Sequence, residues 1–303
     1  MRITTSMVQR NVLSDLNSLS EKLARTQSKA SSGKEISRPS DDPYNAARAM
    51  GLRQTLDANE QYKGNITDAM GWQDSTETAF DSITGSINRA SALLLQGATD
   101  TTDAESRLSI AAEIDQLIEG VKETANARYG DSYLLAGTAT GSPPYKLGAD
   151  DTYQGNDAGL NPAVPGVVRE IGPGVTMSIN AVGSEVLGSG GADGKLLSVL
   201  RSVSAHLKAN DTAALQGDTS AVKSKLDELL NVRARNGAMT NRLEAASTRL
   251  DQIQGAVTEQ LSNTEDADVV KTIIDFNSQS AAYQASLRAG ANIVQASLMD
   301  FLR

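Results

Sequence analysis

The residue types that could do chemistry are concentrated in one stretch, SSGKEISRPSDDPYNAARA, from Ser31 to Ala49. Gly33-Lys34 suggests a phosphate cradle of backbone amides and an ammonium, and Asp41-Asp42 suggests a divalent cation site. Neither pattern completes. A phosphate loop of the Walker kind needs a Gly five residues before the Gly-Lys pair and a hydroxyl residue after it. Ser28 and Glu35 occupy those positions. The two aspartates lack the spaced oxygen partners of a calcium loop. Backbone punctuation accounts for the same residues: Gly33 stops one helix, and Asp42 caps the next with Pro43 at its first position, where a missing N–H costs nothing. Gly33, Pro39, Asp41, Asp42 and Pro43 are therefore expected to form a hinge and capping motif.

Other starting points for catalysis fail in the same way. No G-x-S-x-G or G-x-G-x-x-G occurs, and GSGGADG, from Gly188 to Gly194, has the composition of a linker. DTTDAE, Asp100 to Glu105, fits a helix cap better than an acid/base pair. Asp150, Asp151 and Asp157 lie in turn-rich sequence, where Asp serves local hydrogen bonds. His206 is the one histidine, placed on an expected helix without an identifiable partner, and cysteine is absent. The expectation is a protein that is not an enzyme, with no cofactor and no metal site. A net charge of −9 and the lack of a Lys/Arg-rich run argue against nucleic acid as a partner. Apolar runs are too short to cross a membrane, and the N-terminus lacks the apolar core and cleavage site of a signal peptide.

Hydrophobic spacing shows what positions these residues. Val12, Leu16, Leu19, Leu23, Thr26 and Ala30 step by four and three, as in a coiled-coil seam, and Leu287, Ala291, Val294, Leu298 and Phe301 repeat the rhythm. Leu229, Val232, Asn236, Met239, Leu243, Ala246, Leu250, Ile253 and Val257 extend it over four heptads, about 45 Å of helix. Ile66 to Leu94 and Ala111 to Ala125 carry shorter stripes. Between Gly137 and Gly194, Gly and Pro cluster, and Val167–Ile171 and Val175–Ile179 alternate like strands. The expected fold is mainly α with a β-rich insert: a long antiparallel, coiled-coil-like helical bundle built from both chain ends, with a small β subdomain at its tip. The expected domains are terminal helical segments 1–42 and 266–303, a long-helix bundle 43–136 and 195–265, and an outer insert 137–194. The weakly apolar termini are expected to be disordered in the free protein and to fold against a partner chain.

At this point the residues carry a family likeness. Ser32-Gly33-Lys34-Glu35-Ile36-Ser37-Arg38-Pro39-Ser40-Asp41-Asp42-Pro43 resembles the N-terminal signature of the flagellar hook-associated protein 3 family, hook–filament junction proteins related to flagellin. Gly130 to Thr138, GDSYLLAGT, is similar to the turn where that family leaves its helical region, and Tyr153–Asn156 and Val182–Val186 resemble parts of its insert. The ending Ala296–Arg303 resembles both junction proteins and flagellins. The likeness covers nearly the whole chain and is strongest over 3–53, 129–137 and 275–303, with Tyr44 standing where an aliphatic residue is more usual.

The resemblance implies an exported structural protein of the bacterial flagellum, located at the hook–filament junction. It implies a homo-oligomeric ring between hook-associated protein 1 and the flagellin filament, permitting filament growth. Export would run through the flagellar type III apparatus without a cleavable signal peptide, and a flagellar export chaperone would hold the C-terminal segment. Val12, Leu16, Leu19, Leu23, Leu287, Val294, Leu298 and Phe301 are the expected assembly interface. Flagellin, a filament subunit, is the alternative; a carbohydrate-binding or hydrolytic insert at 137–194 is a distant third.

Overall fold

The computed structural model describes residues 5–99, 102–160 and 164–301, and side chains for residues 7, 10–99, 102–160 and 164–291. The chain runs α1 (Thr5–Ser32), α2 (Pro43–Gly97), α3 (Ala104–Ala125), β1 (Arg128–Tyr129), β2 (Ser132–Tyr133), β3 (Val168–Gly172), β4 (Val175–Ser178), α4 (Gly183–Val186), α5 (Leu196–Lys208), α6 (Thr212–Glu265) and α7 (Val269–Phe301). It divides into two compact units, one of residues 1–58 with 253–303 and one of residues 59–252. This is the expected mainly helical fold with a β-containing insert. Among the described residues no helix is long and apolar enough to cross a membrane.

The 59–252 unit has a single apolar core. The α2 stripe of Ile66, Ala69, Gln73, Thr76, Phe80, Ile83, Ile87, Ala90 and Leu94 is buried throughout, as are Ala111, Ile114, Ile118, Val121 and Ala125 of α3. Leu200, Val203 and Leu207 of α5 and Leu229, Leu243 and Leu250 of α6 close on them. The α6 stripe ends there: Ile253, which continues the spacing, is exposed. The polar break at Asn236 is buried, and its Nδ2 donates to the Gln73 carbonyl at 3.3 Å. Gln73 in turn donates to the Ile179 carbonyl at 2.9 Å, tying the insert to α2.

The strands of the insert form two separate antiparallel pairs, β1 with β2 and β3 with β4, the latter in the register Val168↔Ser178 with a bulge before Gly172. Two tyrosines, Tyr145 buried and Tyr153 half-buried, secure the loops: Tyr145 Oη donates to the Gly188 carbonyl at 2.6 Å, and Tyr153 Oη to that of Leu135 at 2.8 Å. Gly137 is required where it stands. Its φ is +68°, and a Cβ there would lie 2.1 Å from the Asn156 carbonyl oxygen.

Turns between the long helices are closed by side chains. Asp103 caps α3 by accepting from the Ser106 amide at 3.0 Å. The buried Arg107 donates to the carbonyls of Gly97 and Thr99, both at 2.9 Å, and to Asn210 Oδ1 at 2.5 Å. Asn210 has a φ of 57°, the left-handed residue that ends α5. His206 does have a partner: its Nδ1 lies 2.7 Å from Asp218 Oδ2 across the α5–α6 turn.

The terminal coil and the crossover clasp

Within the unit of residues 1–58 and 253–303, α1 and α7 pack against each other. The half-buried side of α1 carries Val12, Leu16, Leu19 and Leu23, with Thr26 buried. On α7 the covered positions are Thr272, Phe276, Gln279, Tyr283, Ser286 and Gly290, again stepping by three and four. Small and polar residues therefore occupy much of this seam. Thr26 Oγ1 donates to Gln279 Oε1 at 2.8 Å. A Cβ at Gly290 would lie 3.2 Å from Val12 Cγ1, so the two helices meet closely there. Leu287 and Ala291, expected on the seam, are exposed; Ser286 and Gly290 take the inward positions beside them. The side chains of Val294, Leu298 and Phe301 fall outside the described residues.

The outer side of this coil is apolar at its base. Val269, Val270, Ile273 and Ile274 are 60%, 70%, 49% and 62% exposed, and they share one face of the first two turns of α7. Leu13 on α1 and Leu287 on α7 are also exposed. Isolated exposed apolar residues are ordinary, whereas four on adjacent helical positions form a patch of the kind that marks an interaction surface.

The residues that first suggested chemistry lie at the root of the coil. α1 ends at Ser32, and Gly33 adopts a φ of +69° with its N–H on the Lys29 carbonyl. The next residues run alongside the α6–α7 junction: the Glu35 amide donates to the Glu265 carbonyl at 2.7 Å, and the Ala267 amide to that of Gly33 at 2.9 Å. Side chains fasten this short bridge. Lys34 Nζ lies 2.5 Å from Glu265 Oε1 and 2.6 Å from Asp266 Oδ1, and Arg53 pairs with the other oxygen of Glu265. The Glu265 carboxylate is 4% exposed, so its charge is tolerable only because both oxygens are paired. Lys34 is thus committed to carboxylates, the opposite of a phosphate ligand. Hydrogen bonds to Asp266, then to Glu265, raise its pKa, while Lys34 and then Ser262 hold the Asp266 carboxyl below its ordinary range.

Beyond the clasp the crossover turns at Arg38–Asp41, with Pro39 at its second position and the Asp41 amide donating to the Arg38 carbonyl at 3.0 Å. Asp41 Oδ2 accepts from the Arg38 amide at 3.0 Å. Asp42 Oδ1 accepts from the Asn45 amide at 3.0 Å, and Pro43 is the first residue of α2. The Asn45 backbone, then its side-chain amide, lowers the Asp42 pKa. The second crossover mirrors the first: Asp268 Oδ1 accepts from the Lys271 amide at 3.1 Å at the start of α7. Sequence reasoning missed Arg53, Glu265, Asp266 and Asp268. The only local signal was at Asp268, an Asp just ahead of an apolar run. Among the described residues no three His, Cys, Asp or Glu side chains are grouped to hold a metal ion.

Comparison with known proteins agrees with this architecture. Residues 3–140 match the family model of the bacterial flagellin N-terminal helical region, and residues 219–302 that of the bacterial flagellin C-terminal helical region. Flagellar hook-associated protein 3 of Escherichia coli is 29% identical over 99% of both chains. A flagellin of Bacillus subtilis is 28% identical over the full length of both. A solved structure from Vibrio parahaemolyticus, described as that of a flagellar hook-associated protein, shares the fold with a TM-score of 0.66 at 20% identity, covering 75% of this chain and all of that one.

Proposed function

The chain belongs to the flagellin family and is a structural protein of the bacterial flagellum; we propose that it forms the junction between hook and filament, a ring of identical copies on which flagellin grows. The observation that carries this reading is the exposed apolar face of Val269, Val270, Ile273 and Ile274 on a coil whose inner seam is already filled from within the chain. Such a face suits contacts between copies, and heterologous contacts between identical subunits close into rings or continue as helical tubes. The clasp at Lys34 and Glu265 holds both crossovers side by side, so that α1 and α7 are presented as one assembly element.

The Pro-Ser-Asp-Asp-Pro form of the crossover favours the junction over the filament subunit, since Pro39 and Pro43 make the defined turn and cap described above. Hook-associated protein 1 on one side of the ring and flagellin on the other are the partners this placement requires. Export without a cleavable signal peptide, with a chaperone on the C-terminal segment, follows from the same reading. The second reading, a flagellin, is favoured by the match to the Bacillus subtilis protein, since its identity differs by so little from that of the hook-associated relative.

The test supplies the intact chain to isolated hook tips carrying hook-associated protein 1, then adds flagellin. Filaments should grow only where the chain was added, and the chain alone should not polymerise into long filaments. A Val270→Asp/Ile274→Asp variant should keep the wild-type melting temperature and fail to support growth. Long filaments from the chain alone would overturn the junction reading in favour of the flagellin one.

A further inference from the structure

Lys122 is the most deeply buried cation among the described residues, with a side chain that is 0% exposed. It projects from α3 into the loop that follows Tyr145. Its Nζ lies 2.5 Å from the Gly148 carbonyl oxygen, 3.1 Å from that of Asp150 and 3.0 Å from Asp151 Oδ1. Glu119 Oε1, one turn earlier on α3, is 3.5 Å away. The loop is shaped around this point. The Gly148 amide donates to Glu119 Oε2 at 2.6 Å, and the Thr152 amide to Asp150 Oδ1 at 3.0 Å. Arg201 of α5 closes the far side, reaching Asp151 at 2.9 and 3.0 Å, Glu119 at 3.1 Å and the Gly148 carbonyl at 3.1 Å. Burial acts to raise the Asp151 pKa, but the bonds from Arg201 and Lys122 outweigh it and keep the carboxyl below its ordinary range.

Two carboxylate and two main-chain carbonyl oxygens around one buried positive centre make the donor set of a hard cation. Here the centre is an ammonium carried by the chain itself. The same loop, with Gly191, Ala192, Gly194 and Ser202 opposite, lines an open cleft of about 700 Å³, so water and ions reach its outer side. Without Lys122, Glu119, Asp151 and the Gly148 carbonyl would face only Arg201, leaving the cage with an excess of negative charge and the Asp150 carbonyl without the Lys122 donor. We propose that Glu119, Gly148, Asp150 and Asp151 form a cation cage whose resident occupant is the Lys122 ammonium, and that calcium takes the cage when that ammonium is removed. The loop of the insert is thereby ordered independently of any ion in the medium.

The experiment compares the wild-type full-length chain with Lys122→Ala, Lys122→Met and Lys122→Ala/Asp151→Asn, by thermal melting and by calorimetric titration with calcium chloride. In chelator, Lys122→Ala should lose on the order of 10 °C in melting temperature, the consequence of leaving buried charge unpaired in a unit of this size. Calcium should restore most of that loss with a dissociation constant on the order of 1 mM. Lys122→Met, which keeps the length of the side chain and fills the approach, should be destabilised without responding to calcium. The wild type and the double variant should show neither calcium-dependent melting nor binding heat. The proposal is overturned if Lys122→Ala melts like the wild type, if calcium does not raise its melting temperature, or if calcium acts equally on the Asp151→Asn background, which would place the ion elsewhere on an acidic surface.

Discussion

Replacing Glu265 by Gln tests the clasp with the least change in shape. In the native structure each carboxylate oxygen holds one cation, Lys34 at 2.5 Å and Arg53 on the other side, and the group is 4% exposed. Removing one partner of a fully buried ion pair costs about 3–5 kcal/mol. The loss here is smaller, because Lys34 and Arg53 are 38% and 54% exposed and recover water, and Lys34 keeps Asp266. We expect about 2 kcal/mol, after discounting for that screening. The readout is amide hydrogen exchange at Glu35 and Ala267, whose N–H groups bridge the two crossovers. At 1.4 kcal/mol per factor of ten, their protection should fall about 20- to 30-fold. The Leu134 amide, bonded to the Ala127 carbonyl in the other unit, should not change. Asp266→Asn should have a smaller effect, since that carboxylate is 40% exposed. The pH dependence has a definite sign. Asp266, with its pKa lowered, contributes fully above its ordinary 3.8 and loses that contribution as pH falls through its depressed value. Lys34, with its pKa raised, contributes fully below 10.5 and loses that contribution as pH rises through its elevated value. These two groups should therefore leave the clasp insensitive to pH between those limits. Unchanged protection at Glu35 and Ala267 in the Gln variant would refute the clasp as the fastener of the crossovers.

Two further substitutions probe the packing around the helices. Arg107→Met deprives the Gly97 and Thr99 carbonyls and Asn210 Oδ1 of a donor together, and should cost about 3 kcal/mol, a fall of roughly 6–12 °C in the melting temperature of the 59–252 unit. Gly290→Val places branched carbons where a single Cβ already stands 3.2 Å from Val12, and should weaken α1–α7 pairing by about 2 kcal/mol, seen as faster exchange of the α1 amides around Leu16. Gly290→Ala should be close to neutral, because a gain in helix propensity of about 1 kcal/mol offsets a tight but yielding contact.

How much of this was legible depended on how local the determining physics is. The α2 and α3 stripes translate residue for residue into buried positions, because helices covered along their length must show the period of the helix. Gly33, Asp42 and Pro43 were equally readable, since a helix stop and a cap are decided within a few residues. The α6 stripe misled at Ile253, where apolar spacing continues although the side chain is exposed. On α7 the larger apolar residue, Leu287, drew attention from Ser286 and Gly290, whose small size is what admits α1. The partner of Lys34 lies 231 residues away, and no local pattern announces it. Lys122 gave no signal either: a lysine on a helix ordinarily faces water, and only the chain path returning at Gly148–Asp151 makes it a buried centre.

Apolar residues in the terminal unit lie on both sides of the α1–α7 coil, and that distribution bears on how assembly and folding are linked. Thr26, Gln279, Ser286 and Gly290 share the α1–α7 seam with Val12, Leu16, Leu19, Leu23, Phe276 and Tyr283, whereas Val269, Val270, Ile273 and Ile274 lie outside. A seam that mixes apolar with small and polar residues, and leaves its apolar side chains half-buried, removes less apolar surface from water than an all-apolar one. Isolated helix pairs gain most of their stability from such burial. On the proposed reading the larger contribution comes from the outside, when a neighbouring copy covers the four exposed residues. The coil is then held firmly only within the assembly, while the clasp at its root fixes where both helices leave the crossovers. The charges are arranged to match: the buried Glu265 carboxylate and its two cations sit at the root, where the two chain segments meet, and the face left for a neighbour is uncharged at its centre. A copy with Val270 and Ile274 made acidic would keep the root and lose the neighbour, separating the two roles in one variant.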